Sequence, residues 1–224
     1  MGKALQLGAF CLLLYSFLPT AGAYDVSLNA NALHEAYVLG QRNDQATATF
    51  LAPYNKQIAE GAPGGPHIAE IEILTPFSQV VDRSRQKLSG YSEQEASHDY
   101  KQEANTVMVR VLLMLPAAYP KLDARAGEAS SNSTSSQNAK LRPENFWQNF
   151  RFNVKQQGRI LPTRSIHNVP VYSAATKETP SALDGATVFL QYDTRNVSSA
   201  PITVEVVTPD AKTIAATFDL SKLR

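Results

Sequence analysis

The sequence is nearly free of cysteine, and its one cysteine lies close to the N-terminus. Cys11 falls inside the apolar run of residues 9–18. If processing removes that run, the remaining chain has no thiol, which excludes disulfides, thiol catalysis and thiolate metal sites. A domain of roughly 200 residues must then be stabilised by its apolar core alone.

A surplus of charge is also missing. The chain has 21 Lys and Arg against 20 Asp and Glu, and loss of Lys3 with the N-terminal segment would balance the two. Proteins that bind nucleic acids or anionic membranes need a basic surplus. We therefore expect no nucleic-acid partner.

The apolar run near the N-terminus is shorter than the ~20 residues that a membrane-spanning helix needs. It is preceded by the basic Lys3 and followed by the small residues Ala21-Gly22-Ala23, which together are typical of a secretory signal peptide. We predict a signal peptide over residues 1–23, cleavage that leaves Tyr24 first, and an exported protein, periplasmic or extracellular, with no membrane span after cleavage. An uncleaved anchor is the alternative. The short signal and the lack of disulfides favour a bacterial source.

Local catalytic motifs are missing as well, since the chain has no Gly-x-Ser-x-Gly, His-Glu-x-x-His, Gly-x-Gly-x-x-Gly or phosphate-loop pattern. On a strand, His67 would face away from Glu70 and Glu72. The neighbours His98 and Asp99 would point about 100° apart on a helix. The sequence therefore predicts no catalytic residue, no metal site and no cofactor, although a triad built from distant residues could form in the fold.

The most apolar stretch outside the N-terminus is residues 106–115. Val107, Val109 and Val111 alternate along it, which favours a strand, and the opposite face is also largely apolar apart from Arg110. This pattern is typical of a strand covered on both sides. We predict that it is the central strand of the core.

Further strands are predicted on both sides of this stretch. Residues 67–74 alternate isoleucine with glutamate, which indicates one face in contact with water. Three more strands are predicted at residues 187–194, 202–207 and 213–218. Short strands joined by turn residues predict an α+β, β-rich fold with an antiparallel β-sandwich, of which an immunoglobulin-like arrangement is one form.

Proline identifies one predicted strand as peripheral. Pro162 and Pro170 bracket short extended pieces, and proline cannot donate to a strand ladder. We therefore expect residues 169–172 to form an edge strand rather than a central one.

Residues 24–60 are predicted to form an N-terminal helical arm of two short helices. Capping residues are available at both starts, in Asn29 or Asn31 for the first helix and Asn43 or Asp44 for the second. Gly40 suits the end of the first helix, and Pro53 ends or kinks the second. Helices this short need to pack on something else.

Residues 61–224 are predicted to form the β-rich domain, with two helices inserted between its strands 67–74 and 106–115. Thr75 and Pro76 open the first inserted helix, and a capping box of Ser92 and Glu95 opens the second. This insertion permits a right-handed parallel crossover or an antiparallel return. Within the same domain, residues 123–140 are a low-complexity loop rich in Ser, Asn and Ala.

One aromatic cluster is the best candidate for recognition. An alternating register over residues 146–154 would direct Phe146, Phe150 and Phe152 to the core. The opposite face would then carry the predicted binding residues, Trp147, Asn149 and Arg151. An indole beside an amide and a guanidinium can stack on a sugar ring or contact a partner protein. The alternative is that Trp147 only covers a sheet edge.

These observations predict an exported, non-enzymatic structural or protein-interaction module. Its partner would be an unknown protein or glycan in the cell envelope. The alternative function is a small-molecule or glycan-binding β-sandwich protein that uses Trp147. A hydrolase would require Ser or Asp within hydrogen-bond reach of a histidine.

Overall fold

The computed structural model describes residues 24–59, 65–87, 89–103, 105–116, 144–174 and 182–224. These parts contain two antiparallel sheets and four α-helices, so the predicted α+β, β-rich class is confirmed. The predicted signal peptide and the low-complexity loop 123–140 lie outside the described residues. No helix within these ranges combines the length and apolar composition needed to cross a bilayer.

The helices are α1 (Ala30–Arg42), α2 (Gln45–Leu51), α3 (Pro76–Gln86) and α4 (Glu93–Glu103). The strands are β1 (Asn55–Gln57), β2 (His67–Leu74), β3 (Thr106–Met114), β4 (Arg151–Gln156), β5 (Arg159–Ile160), β6 (Ser165–Tyr172), β7 (Leu183–Asp193), β8 (Pro201–Val207) and β9 (Thr213–Asp219). β1, a strand of three residues that follows the N-terminal helices, is not predicted by the sequence pattern.

The five-stranded sheet has the order β1-β2-β3-β7-β6, and the four-stranded sheet has the order β5-β4-β8-β9. β2 pairs with β3 antiparallel. The α3–α4 insertion is therefore an antiparallel return rather than a crossover. The last two predicted strands are β8 and β9, which pair antiparallel as a closing hairpin. An immunoglobulin-like arrangement stays a prediction.

β3 is the central strand of the five-stranded sheet, as predicted. Its inward side chains Val107, Val109, Val111 and Leu113 are fully buried and share one core with side chains of the four-stranded sheet. Of its outward side chains, Thr106 is buried, whereas Met108, Arg110, Leu112 and Met114 are only partly buried. The expectation of cover on both faces is thus met fully on the inner face and in part on the outer one.

A β-bulge in β2 changes which of its side chains face the core. The register shifts between Ile68 and Glu70, so Ile68 joins Ile71 and Ile73 in the core, where strict alternation would place Ala69. Glu72 is only 7% exposed. The prediction that the glutamates of β2 face water is therefore wrong for Glu72, because Arg110 of the neighbouring strand forms an ion pair with it.

The first helix starts as predicted and ends later than predicted. Asn29 Oδ1 accepts a hydrogen bond from Ala32 N–H (2.9 Å) at the start, and Asn43 in the left-handed conformation caps the end. Gly40 lies inside the helix, so its predicted role as a stop is wrong. A Cβ at Gly40 would lie 2.4 Å from Val81 O, which shows that glycine permits the close approach of α1 to α3.

The other predicted helix starts are confirmed. Asp44 accepts from the amides of residues 46 and 47, and Thr75 caps α3. Glu95 accepts from Ser92 N–H (2.7 Å) while Ser92 Oγ accepts from Glu95 N–H (3.2 Å). The helices share a small apolar cluster that joins the predicted arm to α3, formed by Ala36, Leu51, Phe77, Val80 and Val81.

Candidate functional site: an uncharged sheet edge

β6 is an edge of the five-stranded sheet and, among the described strands, pairs only with β7. The predicted edge strand at residues 169–172 is therefore confirmed and extends back to Ser165. Its eight residues contain no Asp, Glu, Lys or Arg. Natural edge strands usually carry charges or proline that hinder pairing with other chains. β6 lacks the charges and carries one proline, Pro170.

Three large apolar side chains of β6 are exposed. Ile166 is 45% exposed, Val169 50% and Tyr172 44%, and they make up half of the large exposed hydrophobic residues in the described part of the chain. Single exposed apolar residues are common, whereas these three follow one strand edge, with Ile166 and Tyr172 on its inner face and Val169 on its outer face. We call these three side chains, with the backbone of residues 165–172, the β6 edge.

The other sheet edges are shorter or carry smaller exposed side chains. β1 has three residues and includes Lys56, and β5 has two and includes Arg159. β9 is nearly as long as β6, but its exposed residues are Thr213, Ala215 and Thr217. Length, lack of charge and exposed apolar area therefore coincide only at β6 among the described edges.

The exposure of Ile166 follows from the different widths of the two sheets. Ile166 lies opposite Leu190 of β7, and Leu190 is 1% exposed whereas Ile166 is 45% exposed. Opposed residues of an antiparallel pair share a face. The four-stranded sheet thus covers the inner face at β7 and leaves that of β6 open.

The outer face next to the β6 edge is also apolar. Val169 lies beside Thr187 and then Leu112, and Val171 lies beside Gly185 and then Met114. Of these neighbours on β7 and β3, Thr187, Leu112 and Met114 are partly buried and Gly185 is buried. The β6 edge therefore continues onto an apolar strip that runs towards β3.

The outward backbone groups of β6 follow from the register of β7. The hydrogen bonds Leu115 N–H to Asp184 O (2.8 Å) and Thr194 N–H to Asn105 O (3.2 Å) continue the β3–β7 pairing. Even-numbered residues of β7 thus bond to β3, and its residues 185, 187, 189 and 191 bond to the odd-numbered residues of β6. The register shifts between Val171 and Tyr172, where β7 has one extra residue. Beyond the shift Ser173 N–H donates to Ala182 O (2.8 Å), so the backbone of Tyr172 still points outward. The residues of β6 whose backbone groups point away from β7 are Ile166, Asn168, Pro170 and Tyr172.

Pro170 agrees with this assignment because a proline in a sheet is tolerated where its nitrogen faces away from the neighbouring strand. Two further contacts order the strand. The His167 ring stacks on Phe189 with centroids 4.9 Å apart. The Tyr172 hydroxyl donates to Glu144 (2.9 Å), and this bond raises the pKa of Tyr172, so the phenol stays uncharged at neutral pH.

The outer face also contains a buried ionic cluster, made by Glu72, Arg110 and Asp82. Arg110 Nε donates to Glu72 (2.5 Å), and Arg110 Nη1 lies 2.9 Å from Asp82 Oδ2 on α3. Burial raises the pKa of Glu72, an effect that Arg110 opposes. Burial lowers the pKa of Arg110, but the two carboxylates outweigh it and raise that pKa overall. Arg85, 2.8 Å from Asp82 Oδ1, supplies a second cation for the two carboxylates. The contact between Arg110 and Asp82 ties α3 to the centre of the sheet.

The predicted binding residues do not share a strand face. Residues 146–149 form a 3₁₀ helix, and β4 begins only at Arg151, so the predicted alternation over residues 146–154 is wrong. Trp147 is partly buried and packs against the main core, while Asn149 and Arg151 are exposed. The binding role of these three residues stays a prediction.

The four histidines lie on four different elements, α1, β2, α4 and β6. His34 Nδ1 is 2.9 Å from Glu93 Oε2, and His98 Nε2 is 3.3 Å from Gln102 Nε2 on the same face of α4. His167 lies on β6. Among the described residues, no group of three or more His, Cys, Asp or Glu side chains is arranged to hold a metal ion.

Comparison with known proteins gives no match: none to a family model, none to a curated protein and none to a solved structure.

Proposed function

We propose that the protein is an exported, non-enzymatic interaction module that binds an extended segment of another polypeptide along the β6 edge. The observation that carries the proposal is an edge strand of eight residues without a formal charge that exposes Ile166, Val169 and Tyr172. An extended segment that adds to the β6 edge forms backbone hydrogen bonds with the outward N–H and C=O groups of β6. The side chains of the edge then select which segment binds.

The side chains of β6 define the segment that fits. Val169 and its apolar neighbours lie on the outer face, and Ile166 and Tyr172 lie on the inner face. An added strand therefore meets apolar surface on both faces. We expect it to be extended, uncharged at its centre and rich in β-branched or aromatic residues.

Selection of short random peptides displayed on phage tests this proposal. We expect enrichment of uncharged peptides with high strand propensity that bind the purified protein. Val169→Lys should lower their affinity at least about tenfold, or about 1.4 kcal/mol. The matched control is Ala215→Lys, which places the same charge at an exposed position of the β9 edge and should leave the affinity unchanged. Equal binding to both variants would contradict the proposal.

Export is tested separately. We expect the protein recovered outside the cytoplasm of an expressing bacterium to begin at Tyr24, as measured by intact mass and N-terminal sequencing. Recovery of the chain with residues 1–23 intact in the membrane fraction would support an uncleaved anchor instead.

A further inference from the structure

We infer that the polypeptide bound at the β6 edge is a second copy of this chain, added in antiparallel orientation with Val169 opposite Val169 on a two-fold axis. This inference rests on the proposed function and names its partner. Cyclic two-fold dimers are the commonest soluble oligomers, and their interface must complement itself. The β6 edge meets that requirement in one register.

The first constraint is geometric. When a two-fold axis perpendicular to the sheet relates two antiparallel strands, each side chain stays on its own face. The residues that oppose each other must then both be even-numbered or both odd-numbered. The axis consequently passes midway between one residue of β6 and the same residue of the second copy, and the central choices for that residue are Asn168 and Val169.

The second constraint is the backbone. With Val169 on the axis, Ile166 lies opposite Tyr172 and Asn168 lies opposite Pro170. All four direct their backbone groups outward. The first pair can exchange both N–H···O bonds, and Asn168 N–H can donate to the carbonyl of Pro170. Only the donor that proline lacks is lost.

The register centred on Asn168 forms fewer backbone hydrogen bonds between the two copies. It places Ile166 opposite Pro170 and Tyr172 opposite Arg164. Arg164 N–H already donates to Gln191 O (2.8 Å) within its own sheet. The Tyr172 end of the strand would thus lose part of its pairing, which favours the axis at Val169.

The third constraint is the side chains. With the axis at Val169, each exposed apolar side chain meets another: Ile166 meets Tyr172 on the inner face, and Val169 meets its own copy on the outer face. Val169 forms a pair without backbone bonds, in which the Cα atoms approach to about 4.5 Å. A charge on the axis would meet itself, and β6 has no Asp, Glu, Lys or Arg.

A single pair of strands makes a small interface, and small interfaces give weak, reversible complexes. We therefore expect a dimer that dissociates on dilution. Sedimentation velocity of the wild-type protein over a concentration series should show a rise toward twice the monomer mass. Val169→Lys should remain monomeric over the same range, and Ala215→Lys should behave as the wild type does.

Cross-linking tests the register. In the full chain carrying Cys11→Ser, Val169→Cys should form a disulfide dimer under mild oxidation, because the expected Cα separation lies within the range of disulfides. Reductant should reverse the doubling of mass on a non-reducing gel. Asn168→Cys, which lies on the axis of the competing register, and Ala215→Cys, on the β9 edge, should remain mostly monomeric.

The outcomes separate this inference from the proposed function. Faster cross-linking of Asn168→Cys than of Val169→Cys would overturn the register. A monomer at every concentration, together with peptide binding that Val169→Lys abolishes, would overturn the second copy as partner and leave the proposed function standing. A monomer that also binds no peptide at β6 would overturn both.

Discussion

The two faces of the five-stranded sheet are covered in different ways. The inner face of β3 shares one core with the other sheet, and Val107, Val109, Val111 and Leu113 are fully buried there. The outer face is covered at one end, where Asp82 of α3 meets Arg110. Beyond that contact it remains apolar and partly exposed as far as β6. The inner face holds the fold together, and the outer face stays open toward the β6 edge, where we propose that a second polypeptide binds.

The largest effect should come from placing a charge on the inner face. Val109→Asp puts a carboxylate without a partner into the core, and we expect a loss of at least about 4–5 kcal/mol in the free energy of unfolding, enough to prevent folding. Leu112 lies three residues further along β3, on the partly buried outer face, so Leu112→Asp should cost much less. Urea unfolding measures both, and equal losses would mean that the two faces are equally buried.

The next largest effect should come from the ionic cluster of the outer face. Arg110→Ala leaves the buried carboxylates of Glu72 and Asp82 without their shared cation, which should cost about 3–5 kcal/mol. Arg195→Ala removes an arginine of a solvent-exposed pair and should change stability little. Thermal or urea unfolding of the two variants compares them, and a similar small loss in both would show that the cluster does not hold α3.

A smaller effect concerns the pH dependence of the same cluster. The raised pKa of Glu72 means that the folded state binds more protons than the unfolded state above pH 4.5, the ordinary value. Stability should therefore fall as pH rises through the interval between that value and the raised one. Glu72→Gln should remove this contribution at a cost of about 1–2 kcal/mol. Urea unfolding across that interval measures it, and an unchanged slope in the variant would contradict the assignment.

The smallest effect on stability is expected at the β6 edge. Val169 is half exposed, so Val169→Lys should change the free energy of unfolding by less than about 0.5 kcal/mol while it abolishes binding at the edge. Urea unfolding and peptide titration on the same sample separate the two effects. A large loss of stability would show that Val169 belongs to the core and not to an interface.

Local signals in the sequence predicted the features that depend on a few neighbouring residues. Thr75 and the Ser92–Glu95 box start helices because their side chains satisfy amides within one turn. The alternating valines of β3 predicted the central strand for a similar reason. The sequence also showed that Pro170 lies in an edge strand. The lack of formal charge over residues 165–172 was visible too, but residues 165–168 were not recognised as part of that strand.

Other features needed the tertiary structure. Gly40 matches the pattern of a helix end, yet it serves the contact between α1 and α3, and that contact joins residues far apart in the chain. Glu72 matches the pattern of a wet face, yet it is buried because Arg110 lies opposite it on β3. The aromatic run 146–154 matches an alternating strand, yet its first part is a 3₁₀ helix.

The sequence by itself determined the β-rich class, the central strand, the helix starts and the peripheral place of Pro170, because each depends on local periodicity or capping. Only the tertiary structure decided which faces are covered. The width of one sheet relative to the other leaves Ile166 exposed beside the buried Leu190, and no local pattern encodes that difference. The candidate interaction edge exists for this reason.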